Sequence, residues 1–67
     1  MNNLHYNVEG LYNTTIKTQL KSALANLGGV QKVNVDLHRG TVEVDYNETV
    51  AESEIRRTIE SIGCKVE

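Results

Sequence analysis

A chain of 67 residues has room for one domain with one thin core, which excludes a multidomain enzyme built around a deep cleft. A formal charge of −2 is too acidic for a nucleic-acid binder that works by neutralising phosphates, and a lone cysteine, Cys64, excludes an internal disulfide. No stretch approaches the roughly 20 apolar residues of a membrane-spanning helix. The opening Met1-Asn2-Asn3-Leu4-His5-Tyr6 has neither the basic start nor the apolar run of a signal peptide, so the expected setting is a reducing cytoplasm.

Leu4, Tyr6 and Val8 alternate with His5, Asn7 and Glu9, which predicts a strand over residues 3–8 with one apolar face. After a loop from Gly10 to Asn13, the residues Ile16, Leu20, Ala23, Leu24 and Leu27 recur at helical spacing. They predict a helix over 14–27, with Asn13 or Thr14 as its N-cap and Gly28-Gly29 as its stop. A second alternating strand, 31–37, carries Val33, Val35 and Leu37. The turn His38-Arg39-Gly40 joins it to a third strand, 41–46, with Val42, Val44 and Tyr46 on one side. Asn47 to Thr49 reads as another turn. Ile55, Ile59 and Ile62 then mark a helix over 51–62, with Glu52 and Glu54 at its positive end and Gly63 as its stop. A short last strand takes 64–67. Two Asn-x-Thr triplets, at Asn13 and Asn47, both precede helices and read as caps rather than glycosylation sites.

Strand, helix, strand, strand, helix, strand is the split βαβ repeat. It predicts an α+β, ferredoxin-like βαββαβ sandwich: a four-stranded antiparallel sheet with two helices on one face, and the first and third strands central. Tyr6, Val8, Val33, Val35, Val42, Val44, Tyr46 and Val66 face the helices. His5, Asn7, Asn34, Asp36, Thr41, Glu43, Asp45 and Lys65 line the open face. An RNA-recognition module of this topology stacks bases on open-face aromatics within a basic surround, and this face has neither. Charge is also uneven: Gly10 to Val35 holds three lysines (Lys17, Lys21, Lys32) and no carboxylate, whereas the remainder holds four basic and nine acidic residues.

Val8-Glu9-Gly10-Leu11 leads into the first helix. Gly29-Val30-Gln31-Lys32-Val33-Asn34-Val35, Gly40-Thr41-Val42-Glu43-Val44-Asp45-Tyr46 and Glu60-Ser61-Ile62-Gly63 follow at fixed spacing. From Tyr6 to Val66 the chain resembles the heavy-metal-associated domain, the fold of small copper chaperones and of the N-terminal modules of metal-pumping ATPases. In that family a Gly-Met-x-Cys-x-x-Cys motif joins strand 1 to helix 1, and two thiolates hold a soft ion such as Cu(I). Aligned from Gly10, the methionine position is Leu11 and the two cysteine positions are Asn13 and Ile16. The resemblance therefore implies a metal-trafficking module with a degenerate ion site.

Cys64 is the one remaining sulfur candidate for Cu(I) or Zn, read against the alternative of a small buried hydrophobe beside the first loop. One thiolate cannot make a two-coordinate site, so an ion would have to bridge Cys64 of two molecules. His5 and His38 have no ligand spacing around them. Thr14, Thr15 and Lys17 at the first helix's start could attract an anion, against simple capping by Asn13. No nucleophile has a histidine placed beside it. Acylphosphatase, which shares this topology, needs an arginine in a glycine-rich loop, and Glu9 to Asn13 has none, so no catalysis is expected.

Leu11, Tyr12, Lys17 and Lys21 form the expected docking patch for a protein partner, with an acidic domain of a metal-transporting ATPase implied by the resemblance. An ACT-like regulatory module, which shares the βαββαβ order and binds amino acids between subunits, is the alternative from another class.

Overall fold

The alternating segments come together as a single antiparallel sheet in the computed structural model, which describes residues 2–67. Met1, included in the domain span read from the sequence, lies outside the described residues. The elements are β1 (Asn2–Glu9), α1 (Thr14–Ala25), β2 (Val30–Asp36), β3 (Thr41–Tyr46), α2 (Glu52–Ser61) and β4 (Lys65–Val66). Across the sheet the order is β2-β3-β1-β4, so β1 and β3 are central.

Register decides which side chains share a face. Val42 stands opposite both Tyr6 and Val35, and Val44 opposite both Leu4 and Val33, which builds two apolar rows across three strands. On these rows sit Leu20 and Leu24 of α1 and Ile55 and Ile59 of α2. All four, with Val42 and Val44, are fully buried. The neighbouring residues on each strand point the other way, so Glu43 faces His5 and Asn34 on the open side. No polar or charged residue is buried among the described residues, so the core is entirely apolar.

Several boundaries differ from the sequence reading. α1 stops at Ala25 rather than 27, because the Leu27 N–H bonds the Leu24 carbonyl three residues back, at 3.1 Å, instead of continuing the four-residue ladder. Leu27 and Gly28 belong to the connection, and Gly29 reverses it at a φ of 101°. A side chain at Gly29 would come within 2.9 Å of Asn47 Oδ1, so glycine is required for contact as well as conformation. β2 ends at Asp36 and leaves Leu37 to the turn, since Asp36 Oδ1 accepts from the His38 and Arg39 N–H groups at 2.9 and 3.2 Å. α2 covers 52–61 and β4 only 65–66, against the 51–62 and 64–67 expected.

The second Asn-x-Thr triplet is corrected outright. Asn47 does not cap α2: its Oδ1 accepts from Thr49 N–H at 2.9 Å, and its own N–H donates to Gly29 O at 2.8 Å. Ala51 holds the N-cap position with no side-chain bond. Stability at that helix start comes instead from Val50, 3% exposed, a core residue the sequence reading passed over. Val50 and Ile55 occupy the N′ and N4 positions, the spacing of a hydrophobic staple, and both belong to the buried cluster.

Candidate functional site

The loop between β1 and α1 is built by four residues with different tasks. Gly10 turns the chain at a φ of 100°, and a Cβ there would meet Cys64 Cα and Gly63 O at 3.3 Å. Loop and α2–β4 junction therefore touch backbone to backbone, a closeness that only glycine permits. The Tyr12 N–H donates to Gly10 O at 3.0 Å, which tightens the bend. Leu11 is half-buried against the core, so of the expected docking pair it is largely an anchor.

Asn13 adopts an extended conformation, and its Oδ1 accepts from Ile16 N–H at 2.9 Å. The Asn13 carbonyl accepts from Lys17 N–H at 3.1 Å and opens the helical ladder. Of the two N-caps read from the sequence, Asn13 or Thr14, it is Asn13 that caps, and capping occupies the side chain at the position where the resemblance places a thiolate. Ile16, at the other such position, lies half-buried against the core.

Tyr12 is the one large hydrophobic side chain left exposed among the described residues, at 84%. The reason is local. At this helix start Tyr12 is N′ and Lys17 is N4, so the apolar partner that a staple needs is missing. Lys21 is exposed one turn beyond Lys17, which is half-buried, and both line a hollow of about 530 Å³ on the outer face of α1. Lys17 and Lys21 thus share one side of α1, and Tyr12 stands just before its first turn.

Cys64 is 4% exposed and sits under Gly10 rather than facing solvent. Burial pushes its thiol above the ordinary value, which favours the uncharged form that binds metal poorly. The donor set offered here, one amide oxygen engaged in capping, one isoleucine and one buried neutral thiol, does not fit a soft ion held by two sulfur anions. An ion shared by two copies of Cys64 would need that residue to leave its place in the core. Alkylation measures how firmly it is held: native Cys64 should react with a thiol reagent at least about a hundredfold more slowly than the denatured chain. A native rate equal to that of a free thiol overturns this assignment.

His5 and His38 line one shallow hollow of about 690 Å³ on and beside the open sheet face, together with Glu43, Asp36 and Arg39. No group of three or more His, Cys, Asp or Glu side chains able to hold a metal ion forms among the described residues. Arg39 lies 4.0 Å from Asp36, an exposed pair.

One interaction had no signal in the strand and helix patterns. The Tyr6 hydroxyl, on the helix-facing side of β1, donates to Glu52 Oε1 at 3.0 Å, and the Arg56 guanidinium lies 5.9 Å from the ring centre. Burial, and then this hydrogen bond, raise the Tyr6 pKa above its usual value. The i, i+4 pair Glu52 and Arg56 was readable as a helix-surface pair; that it reaches a strand tyrosine depends on tertiary placement.

The family described as "Heavy-metal-associated domain" matches residues 5–65. The copper chaperone CopZ of Staphylococcus haemolyticus is 39% identical over 61 residues, 90% of either chain. Among solved structures, a CopZ metallochaperone superposes with a TM-score of 0.94 at 36% identity, covering 98% of this chain and 100% of that one. A copper binding domain from HMA7, a P-type ATPase, gives 0.92 at 28% identity, over 100% and 92%. Of the two families considered from the sequence, the first is therefore the one that matches: the chain belongs to the heavy-metal-associated domain family and is a small copper-chaperone-like domain of ferredoxin-like fold.

Proposed function

We propose that this domain is a cytoplasmic docking module of the copper-trafficking lineage. It engages a partner protein through the β1–α1 loop and α1, without carrying an ion on a dithiolate site of its own. The observation that carries the reading is the commitment of Asn13 Oδ1 to the Ile16 N–H, with Ile16 packed inward, where a thiolate pair would stand. Tyr12, exposed because its helix start lacks an apolar N4 residue, is the contact residue, seated beside Leu11. Lys17 and Lys21 steer an acidic surface toward it. The partner favoured by the relatives' names is a domain of a copper-transporting P-type ATPase. The domain performs no chemistry; it recognises.

Two titrations test this. Against a chromophoric Cu(I) chelator, the protein should leave the ion with the chelator, and tight one-to-one binding by the monomer defeats the proposal. With the soluble metal-binding domain of a copper-transporting ATPase as probe, Tyr12→Ala and Lys17→Glu should each weaken association by about tenfold, the Lys17 effect shrinking at high salt. An affinity unmoved by both changes removes the docking patch.

A further inference from the structure

β2 is one of the two edges of the sheet, and β4, the other, is only two residues long. Every other residue of β2 turns its N–H and C=O away from β3, so a seven-residue strand offers an unfilled ladder. A bulge between Val30 and Lys32 interrupts its start and leaves Lys32 to Asp36 as the regular portion.

The surroundings of this edge select what could fill it. A cleft of about 150 Å³ between α1 and the edge of β2 is lined by Lys21, Ala25, Val30, Gln31, Lys32 and Val33. Lys21 and Ala25 also line the hollow that holds Lys17, so the two depressions form one track along α1 and β2. The track carries Lys17, Lys21 and Lys32, in a stretch from Gly10 to Val35 without a carboxylate. Asp36, at its far end, is engaged by the His38 and Arg39 N–H groups.

We propose that β2 accepts an acidic segment of a partner protein as a fifth strand. Its backbone would pair with Lys32 to Asp36, and its carboxylates would meet Lys21 and Lys17 on the helix side and Lys32 on the other. This rests on the docking reading above and names the form of its partner: an extended acidic peptide. A second copy of this chain suits the edge less well, because it would bring two lysine-bearing α1 faces together. Lys32 on the edge thus discourages self-pairing while attracting opposite charge.

The probe is a capped peptide of repeating Glu-Glu-Thr-Thr, which as a strand sets carboxylates on both faces, titrated into the isotope-labelled protein and followed by amide chemical shifts. Shifts should concentrate on Lys32 to Asp36, and Lys21→Glu and Lys32→Glu should each weaken binding by about tenfold. Arg57→Glu, an equal charge change on α2, should not. The same peptide with every backbone nitrogen methylated has the same charge but no N–H to donate to the ladder, and it should bind far more weakly. Equal binding of the N-methylated peptide, absent shifts, or shifts confined to Leu11–Ile16 overturn the proposal, as does a dimer in sedimentation whose amide protection covers β2. The peptide reads β2, whereas the ATPase-domain titration reads Tyr12, so either conclusion can fail without the other.

Discussion

Replacing Asn13 and Ile16 together by cysteine should give a protein that competes with a strong chelator for Cu(I), an affinity gain of several orders of magnitude. The backbone is already arranged for it. The chain enters α1 from an extended residue at Asn13, and the first turn presents its unpaired N–H groups there. Two sulfurs one turn apart at this positive end would ionise readily and supply the soft donors that the natural side chains lack. The cost is structural. The Asn13 cap is worth about 1 kcal/mol, and trimming half-buried Ile16 removes roughly another. The double variant should therefore melt lower without ion and recover when Cu(I) is added. Asn13→Cys or Ile16→Cys alone should remain a poor binder. A double variant no better than the parent would mean that the loop, and not its missing thiols, blocks the ion.

Ile59→Ala should leave a protein that barely folds. Ile59 is fully buried between α2 and the sheet, and such truncations cost about 2–5 kcal/mol. At roughly 0.05–0.15 kcal/mol per residue, a domain of this size holds only about 3–10 kcal/mol in total. With a shift of about 4–8 °C per kcal/mol, the melting temperature should fall by roughly 8–40 °C in circular dichroism. Ile59→Val should cost only about 1 kcal/mol. A drop below about 5 °C for the alanine variant would show that the core closes around the gap.

Much of this architecture was legible because two periods dominate the sequence. The alternation in Val33, Val35, Val42 and Val44 fixed the sheet face, and the spacing of Leu20, Leu24, Ile55 and Ile59 fixed which helix sides meet it. What escaped lay where period gives no signal. Val50 stands alone between a turn and a helix, and only the staple spacing to Ile55 marks it. Asn47 has the same residue type and context as Asn13, yet it braces Gly29 instead of a helix, a choice made by a strand distant in sequence. Within the candidate site the Asn13 cap could be read directly. Which of Leu11 and Tyr12 turns inward could not, because Leu11 packs on a core assembled from elements distant in sequence.

The seat of Gly10 on Cys64 couples the β1–α1 loop to the shortest ladder of the sheet. β4 holds to β1 through a two-residue ladder, Val8 with Val66 and Glu9 with Lys65, with one further bond from Glu67 N–H to Asn7 O. So short a strand frays easily. Opening of β4 would loosen the floor of the bend that carries Tyr12. The order of the bend that carries Tyr12 is thus tied to β4 as well as to the helix that follows it.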